Sequence, residues 1–404
     1  MISCLFKDIE PGDVYQFYIV NGINDFNVCS NYYLINDKDV IKSFLKIGKI
    51  GREIKEDSLF VSKQTTSEYR GIIGRNSLTM LMRFLLWKLN GNVYKSLKEW
   101  AVHTNPDIIV LQAGDAPFMY DLAYKLSNNI GVPIVIFNTE YYYFETLNWV
   151  NGARKGLFFR VFRKCLKHSF RKAIQSAVLS IYNSEWMKKQ YDSEFHMPSI
   201  YIYQSSDIHN GSYLKSDKKR IAYVGNLSFK RYLSIVEIAK SLKGVTNDFV
   251  VEVYGPGDED AINCLKAESN IRYEGTVGYD KVLEIIQDSH LLLLTESLDP
   301  INSKLTEYGF STKITDYMGT GIPIIAYGSK DNVGIGYLKE NKAAFVANTP
   351  EKLSEKLRDA ISDEDERKLV VKRALELSEQ NHRSDKNAYK FMSALQEVVN
   401  KYSN

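Results

Sequence analysis

The sequence predicts an α/β protein with two Rossmann-like domains that face each other across a cleft. Three observations support this fold class: the chain length, the alternation of buried strands with helices, and one polar stretch that interrupts the alternation. The chain has 404 residues, of which 44% are hydrophobic, and this is enough to bury two cores of ordinary size. We therefore expect two domains, residues 1–207 and residues 208–380.

The first domain shows strand and helix patterns in turn. The runs PDIIVLQ and VPIVIFN predict buried strands, and APFMYDLAYKLSNN between them predicts a helix. The run AVLSIY predicts another strand, followed by a helix from Ser184 to about Tyr191. Strands that are separated by helices form parallel sheets, because a parallel connection needs a long crossover.

A polar stretch, QSSDIHNGSYLKSDKK at 204–219, predicts the linker between the domains. Alternation then resumes with the strand runs RIAYVG, FVVEVYG, HLLLLT and PIIAY. From about Glu364 to Tyr402 the pattern is helical. The second half is therefore a second parallel sheet with helices on its faces.

The most informative run is FSTKITDYMGTGIPIIAYG at 310–328. Ser311 and Thr312 are candidate helix N-caps, and the free N–H groups of a helix start attract phosphate. Lys313 adds a cation, and Asp316 lies one turn further along the same face, where a carboxylate accepts hydrogen bonds from sugar hydroxyls. The glycines and the proline that follow predict a turn into a buried strand.

This run resembles the donor-site signature of retaining glycosyltransferases with the GT-B architecture, especially glycosyltransferase family 4. The resemblance is carried by Asp316, Tyr317, Met318, Gly319, Gly321 and Pro323. That family usually has glutamate in place of Asp316, and a second glutamate at the position of Tyr308. The resemblance implies transfer of a sugar from a nucleotide-sugar donor to a hydroxyl acceptor, with retention of configuration. It also implies a last helix, about residues 381–404, that packs back on the first domain.

The start of the chain departs from that family. The family begins with a buried strand and a glycine-rich loop, whereas this chain opens with CLFKDIEPGDVYQFYIV, which is typical of a helix end and a second strand. We therefore expect that the first domain lacks its first strand and glycine loop, unless the true start lies upstream of Met1. A sheet without that strand would expose the edge of its neighbour.

The run VGNLSFKR opens the second domain and supplies candidate diphosphate ligands. Gly225 ends a strand, and Lys230 and Arg231 enter the next helix. The family's arginine after the glycine is Asn226 here. Cations at this place would balance the charge that gathers on the leaving diphosphate. The alternative is that both cations are ordinary solvated residues of a helix start.

Two further groups are candidates by position. Tyr254 and Gly255 form a turn after a strand, and the resemblance implies that they lie near the nucleotide base, although such turns are common in any fold. Glu296 ends the strand HLLLLT and is a candidate ligand for sugar hydroxyls, or a solvated strand end. The following run, LDPINSKLTEYG, is predicted to be a long loop that shapes the sugar pocket.

Two acids follow strands of the first domain. Glu140 is the candidate on the acceptor side and is grouped with Glu296 as a candidate catalytic residue. Asp115 is predicted to cap the next helix, because Pro117 follows it. Both interpretations rest on position at the carboxyl end of a strand.

The segment RKGLFFRVFRKCLKHSFRKA, residues 154–173, predicts an amphipathic helix. Its cationic face consists of Arg160, Lys164, Lys167 and Arg171, and its apolar face is rich in phenylalanine. We expect this basic face to dock on an anionic membrane surface, as suits a lipid-linked acceptor. The alternative is a core helix with a solvated cationic side.

Composition excludes several classes. The net charge of +3 and the local character of the basic segment argue against nucleic acid as a partner. The four cysteines and six histidines show no ligand spacing, so we expect neither a metal nor another cofactor. No signal peptide or transmembrane run is predicted, and we expect a cytoplasmic protein that attaches peripherally to the inner face of the cell membrane.

The predicted function is a glycosyltransferase of bacterial surface polysaccharide synthesis. Its donor would be a nucleotide-sugar, and its acceptor a sugar or a lipid-linked sugar. One alternative is a nucleotide-sugar epimerase on the same fold. Another is a protein that binds nucleotide-sugars without activity, because the chain departs from the family at Asn226 and Tyr308 and at its start.

Overall fold

The fold is described from a computed structural model, which describes residues 3–20, 24–45, 47–48, 50–55, 76–146 and 156–402. The chain divides into two compact units, described separately here. Unit 1 contains Met1–Ile202 and Asn387–Asn404, and unit 2 contains Tyr203–Lys386.

Unit 1 begins with two short 3-10 helices, Ser3–Phe6 and Pro11–Asp13. Its strands and helices up to the third strand are β1 (Tyr15–Tyr18), β2 (Asn31–Leu34), α1 (Asp37–Phe44) and β3 (Arg52–Ile54). They continue as α2 (Ser77–Leu89), α3 (Gly91–Thr104), β4 (Ile109–Gln112), α4 (Pro117–Ile130) and β5 (Ile134–Asn138). The remaining elements before unit 2 are α5 (Leu157–Ser176), β6 (Leu179–Tyr182), α6 (Glu185–Phe195) and β7 (Ser199–Tyr201).

The strands of unit 1 form two sheets. Strands β4, β5, β6 and β7 pair in that order, all parallel. Strands β1, β2 and β3 form a small sheet in which β1 is parallel and β3 antiparallel to β2. The described residues include no strand that joins the two sheets, and in a doubly wound sheet the joining strand would be the first.

Unit 2 is built of strands and helices that mostly alternate. Its first half consists of β8 (Arg220–Val224), α7 (Arg231–Lys243), β9 (Val250–Tyr254), α8 (Glu259–Lys266), β10 (Ile271–Gly275) and α9 (Tyr279–Gln287). Its second half consists of β11 (Leu291–Thr295), α10 (Pro300–Thr306), α11 (Thr312–Met318), β12 (Ile324–Tyr327), α12 (Val333–Glu340), β13 (Phe345–Ala347), α13 (Pro350–Ser362) and α14 (Glu364–Asn381). In this half two successive helices, α10 and α11, follow β11. The last helix of the chain is α15 (Ser384–Tyr402).

The six strands of unit 2 form one parallel sheet in the order β10-β9-β8-β11-β12-β13. Both faces of this sheet are covered. Leu291 and Leu293 of β11 pack in one core, whereas Leu292 and Leu294 pack in the other, and none of the four is more than 1% exposed. A strand that is buried on both faces has apolar residues at every position, which explains the sequence LLLL.

The order of these strands determines where a ligand can lie. The chain runs outward from β8 to β10 on one side and then crosses to β11 on the other side of β8. In doubly wound sheets of this order, ligands bind outside the carboxyl ends of the strands at the point of reversal. In unit 2 that point lies after β8 and β11, where Gly225 and Glu296 follow.

The boundary between the units differs by a few residues from the predicted one. Residues 203–207 lie in unit 2 because they bond to the end of α14. Ser206 donates its backbone N–H to the carbonyl of His382 (2.9 Å), and the His382 ring lies 2.8 Å from the carbonyl oxygen of Gln204. In unit 1, Phe391, Leu395 and Val398 of α15 share a core with strands β5 and β6.

Candidate functional site

Two glycines form the floor of the site at the switch point of unit 2. Gly225 has a φ of +154° and donates its N–H to the carbonyl of Tyr254 (2.8 Å). Gly255 has a φ of +136°, and a Cβ placed on it would lie 2.1 Å from the carbonyl oxygen of Gly225. No side chain larger than hydrogen fits between these backbones, so the turns after β8 and β9 require glycine.

The loop between β8 and α7 places two cations at the edge of this floor. Phe229 and Lys230 both have left-handed backbone, with φ of 61° and 57°. Left-handed backbone is unfavourable for residues other than glycine and is enriched at functional sites. Lys230 pairs with Asp299 (3.1 Å), and the lysine is about half exposed.

Arg231, the first residue of α7, is held by two acceptors. Its Nε lies 3.0 Å and its second guanidinium nitrogen 2.9 Å from the same oxygen of Glu296. A third nitrogen donates to the side-chain oxygen of Asn226 (2.9 Å). Asn226 therefore orients Arg231 at the position where the resembled family has an arginine of its own. Glu296 is 5% exposed and serves as the counter-ion of Arg231.

Lys313, on α11, brings a third cation to the site and lies beside Gly225. Its Nζ would lie 2.6 Å from a Cβ on Gly225, and it contacts the ring of Tyr223 at 4.8 Å. Burial lowers the pKa of Lys313 to about 8, while the carboxylate of Glu296 works in the opposite direction. Lys313 forms no ion pair with any described residue. A cation that is desolvated and unpaired at a strand switch point is typical of a functional site.

The N-terminus of α11 contributes less to a phosphate site than the sequence predicts. Ser311 is the N-cap residue, but its side chain makes no capping hydrogen bond, and Thr312 is exposed as the first helical residue. The helix has only seven residues. The positive end of a helix comes from its unsatisfied N–H groups and is limited in so short a helix, so the charge at this place comes mainly from Lys313.

Asp316 lies on the same helix and contacts the segment before β8. Its Oδ1 accepts a hydrogen bond from the hydroxyl of Ser206 (2.7 Å). Burial raises the pKa of Asp316, and the Ser206 hydroxyl partly offsets this rise. No described residue bonds to the other carboxylate oxygen, so that oxygen is open to a ligand hydroxyl.

The turn after β11 also differs from the sequence prediction. The run LDPINSKLTEYG is not one long loop, because residues Pro300–Thr306 form helix α10. Asp299 caps this helix by accepting from the N–H of Asn302 (3.1 Å), and Pro300 occupies the first turn. The Asp-Pro pair is the sequence signal of this helix start.

Tyr254 is buried at the end of β9 and donates its hydroxyl to Glu252 (2.6 Å). Burial, then the Glu252 carboxylate, raises the pKa of Tyr254. Its hydroxyl is therefore bonded within the sheet.

In unit 1, a pocket opens at the carboxyl ends of β4 and β5. Ser77, Asp115, Glu145 and Arg163 supply its polar lining, and Met80 and Phe159 are among its apolar neighbours. Burial raises the pKa of Glu145 to about 7, although Arg163, whose guanidinium lies 3.9 Å away, lowers it. Arg163 is itself buried and donates to the carbonyl of Tyr143 (2.8 Å).

The structure corrects one prediction here and adds two residues. Asp115 does not cap α4, because Ala116 is the N-cap residue and Pro117 the first helical residue. Glu140 follows β5, is exposed and has no ion pair with a described residue. Glu145 and Arg163 were missed, since no local sequence signal marks two residues that meet only after α5 packs on the sheet.

The predicted membrane-docking cations are all exposed on α5, but two of them have partners in unit 1. Arg171 pairs with Glu194 (2.6 Å) and donates to the Tyr143 hydroxyl, and Lys167 lies over the Tyr143 ring (5.0 Å). Arg160 and Lys164 form no ion pair with a described residue. The apolar face of α5 packs in the core of unit 1, as the core-helix alternative predicts.

Metal ligands and membrane spans were sought in the described part of the chain. It contains no group of three or more His, Cys, Asp or Glu side chains that could hold a metal ion. None of its helices is both long enough and apolar enough to cross a membrane.

Comparison with known families matches the second half of the chain. Residues 232–393 match the family model described as Glycosyl transferase-like. A search of curated protein sequences gave no match. The matched range includes Glu296, Lys313 and Asp316, and it begins one residue after Arg231.

Comparison with solved structures identifies the fold. A structure of Anabaena Alr3699/HepE with UDP-glucose superposes with a TM-score of 0.55, at 15% identity over 77% of this chain and 84% of that chain. Sucrose-phosphate synthase from Thermosynechococcus elongatus gives 0.57, at 11% identity over 78% and 79%. A mutant of S. aureus TarM, solved with fondaparinux, alpha-GlcNAc-glycerol and UDP, gives 0.54, at 13% identity over 75% and 58%. The resemblance to GT-B glycosyltransferases that the sequence indicates is therefore confirmed, and so is the α/β fold class.

Proposed function

We propose that this chain, which has the GT-B fold and a glycosyl transferase-like second half, transfers a sugar from a nucleotide-sugar to a hydroxyl acceptor. One observation carries the proposal. Lys313 and Arg231 approach the glycine floor of the switch point from two different elements, and Lys313 has no counter-ion among the described residues. A buried cation without a partner is costly unless an anion binds beside it.

The leaving group explains why these residues are needed. When the bond between the sugar and the diphosphate breaks, negative charge gathers on the diphosphate oxygens. Arg231 and Lys313 would stabilise that charge in a site that is largely removed from water, where such contacts are strongest. Lys230 lies at the rim and, paired with Asp299, would add a weaker, screened contact.

Glu296 has a positioning role in this scheme. Its carboxylate holds the guanidinium of Arg231, and Asn226 holds it from another side. The fork of Arg231 is therefore fixed before a donor binds, which reduces the entropy that binding must overcome. Asp316 would accept hydrogen bonds from the ribose through its open oxygen.

A retaining reaction fits a site of this composition. In such a reaction the departing phosphate takes the proton of the acceptor hydroxyl, and no protein nucleophile is required. Glu296 is already paired with Arg231, so its carboxylate is not free to act as a nucleophile. Glu140, which follows β5 in unit 1, is the candidate residue on the acceptor side.

The acceptor is proposed to be a sugar carried by a lipid or a growing polysaccharide, as in bacterial surface polysaccharide synthesis. We place the enzyme in the cytoplasm at the inner face of a membrane. The exposed cations Arg160 and Lys164 support this location. UDP is the first nucleotide to test, because structures of the similar fold from Anabaena and S. aureus were solved with it.

The experiment is a binding and turnover series. UDP, GDP, ADP and CMP are screened by thermal shift, since a bound ligand raises the melting temperature. The best nucleotide is then offered as its sugar conjugate, with and without a set of sugar acceptors. Acceptor-dependent release of nucleotide supports transfer. Interconversion of the donor sugar without acceptor would assign an epimerase instead, and no shift with any nucleotide would reject the donor site.

A further inference from the structure

We propose that helices α2 and α5 of unit 1 form a docking surface for an anionic lipid bilayer. The inference rests on the membrane location proposed above. It identifies the protein surface that would bind the membrane and the kind of lipid that this surface would bind. It does not depend on donor binding, because its residues belong to unit 1 and the donor residues to unit 2. The surface consists of the outward stripe of α2 and the first two turns of α5.

The stripe on α2 is apolar and exposed. Leu78, Met82, Leu85 and Leu89 are 41%, 59%, 44% and 72% exposed. Their spacing of four, three and four residues places them on one helix face. The opposite face of α2 carries Phe84 and Trp87, which are 3% and 2% exposed and belong to the core. A helix that is already buried on one side therefore presents a second apolar face to its surroundings.

The first two turns of α5 also expose apolar side chains. Leu157, Phe158 and Val161 are 71%, 47% and 38% exposed. Arg160 and Lys164 are exposed within one turn of them and have no ion pair with a described residue. Helices α2 and α5 pack against each other, so both faces belong to the same region of unit 1.

Unit 2 provides an internal comparison. Among the described residues, its exposed large hydrophobic side chains are Leu233, Ile301 and Leu369, one each on α7, α10 and α14. Single exposed apolar residues are ordinary on protein surfaces, whereas a stripe of several marks an interaction surface. Unit 1 thus has a feature that unit 2 lacks.

The positive charge of α2 and α5 indicates which kind of partner binds this surface. Helices α2 and α5 contain eight Lys and Arg residues and no Asp or Glu. Four of these cations pair with acids of neighbouring elements, namely Arg83, Lys88, Arg163 and Arg171. Arg160 and Lys164 have no ion pair with a described residue, and two copies of the face would bring these like charges together. Anionic headgroups attract Lys and Arg near the surface, and apolar side chains enter the boundary of the acyl layer. An anionic bilayer satisfies both parts of the surface at once.

The test compares three variants of the full chain in vesicle sedimentation. The stripe variant carries Met82→Gln, Leu85→Gln and Leu89→Gln, since glutamine keeps the helix and removes the apolar surface. The charge variant carries Arg160→Gln and Lys164→Gln. The matched control carries Leu233→Gln, Ile301→Gln and Leu369→Gln in unit 2. Vesicles are pure phosphatidylcholine or phosphatidylcholine with phosphatidylglycerol.

We expect the wild type and the control to sediment with the anionic vesicles and much less with the neutral ones. The stripe variant should lose at least tenfold in partitioning. The charge variant should lose most of the dependence on salt concentration. A wild type that ignores anionic vesicles, or a stripe variant that binds them like the wild type, would overturn the proposal.

Two further measurements separate failure of the donor site from failure of the lipid proposal, and lipid binding from self-association. Calorimetric titration with UDP reports on unit 2, so vesicle binding without UDP binding would reject the donor site and leave this inference standing. Light scattering reports self-association. A dimer that the stripe variant abolishes, without vesicle binding by the wild type, would assign the surface to a second copy of the chain and overturn the lipid proposal.

Discussion

Arg231 and Glu296 form an ion pair of 2.9 Å in which the side chains are 12% and 7% exposed. Arg231 begins the helix that follows β8, and Glu296 is the first residue after β11, so the pair links the ends of the two central strands of the unit 2 sheet. A buried ion pair adds little net stability compared with apolar residues, but removal of one partner leaves an uncompensated charge. The main effect of the pair is therefore to fix the position of the Arg231 guanidinium at the ends of β8 and β11.

The variant Glu296→Gln should lower the free energy of unfolding by about 1–3 kcal/mol, because the buried guanidinium of Arg231 loses its counter-ion while Asn226 still accepts from it. Chemical denaturation measures this change. The matched control is Glu284→Gln, which breaks an exposed pair with Lys281 and should cost no more than roughly 0.5 kcal/mol. Equal stability of both variants would mean that Glu296 is not the counter-ion that holds Arg231.

The variant Lys313→Met should stabilise the free protein and weaken nucleotide binding. The pKa of Lys313 falls from its usual 10.5 to about 8 in the folded chain, so the unfolded chain binds more protons between these values. Wild-type stability therefore rises as pH increases from about 8 to 10.5, and the full cost of the buried charge is present below 8. Removing that charge should raise the unfolding free energy at pH 7 by about 1–3 kcal/mol.

The same variant should bind UDP at least about tenfold more weakly at pH 7, as expected for the loss of a charged contact worth about 1.5–3 kcal/mol. The control Lys266→Met removes an exposed lysine of α8 and should change neither property. In the wild type, affinity for UDP should fall as pH rises through 8, since only the protonated amine attracts the diphosphate. A pH dependence that persists in Lys313→Met would show that another group is responsible.

The variant Asp316→Ala should weaken UDP binding by more than about tenfold, because charge-assisted hydrogen bonds to the ribose contribute about 1.5–3 kcal/mol each. The informative comparison is Ser206→Ala, which removes the hydroxyl that Asp316 accepts from. If Asp316 binds the ribose directly, Ser206→Ala should keep most of the affinity in calorimetric titration. Equal losses in the two variants would show that Asp316 acts by holding the segment before β8.

The variant Glu145→Gln should remove a pH-dependent loss of stability in unit 1. The pKa of Glu145 rises from 4.5 to about 7 through burial, so the folded chain holds a proton that the unfolded chain releases. The wild type should therefore lose stability as pH rises from 4.5 to 7 and regain none above it. At pH 8 the variant should be more stable than the wild type by about 1–3 kcal/mol, and at pH 4 the two should be similar.

Thermal unfolding at pH 4, 6 and 8 measures this difference. The control is Glu185→Gln, an exposed residue paired with Lys189, which should follow the wild type at each pH. A constant gap between Glu145→Gln and the wild type across the range would mean that the Glu145 carboxyl does not titrate in this window.

Much of the architecture could be predicted from the sequence. The continuous run LLLL predicts a strand buried on both faces, and the structure has β11 there. Gly319, Gly321 and Pro323 predict the passage from helix to strand, and α11 and β12 lie on either side of it. These predictions hold because strand burial and turn chemistry depend on a few neighbouring residues.

Other predictions were wrong because the same local sequence pattern is compatible with two different structures. An acid before an Ala-Pro pair suggests a helix cap, yet Asp115 lines a pocket and Ala116 occupies the cap position. A polar run after a strand suggests a loop, yet Asp299 and Pro300 begin a helix. Local signals of this strength do not decide between such alternatives, because the choice depends on what packs against the segment.

The sequence by itself determined the doubly wound order of strands and helices and the kinds of residue at the strand ends. Tertiary structure alone decided which of those residues meet. Lys313 lies 88 positions after Gly225 in the chain and next to it in space, and Glu145 meets Arg163 only because α5 folds back over the sheet. The physical reason is that strand and helix patterns arise from nearest neighbours, whereas burial, charge pairing and shifted pKa values arise from contacts that only the packed core creates.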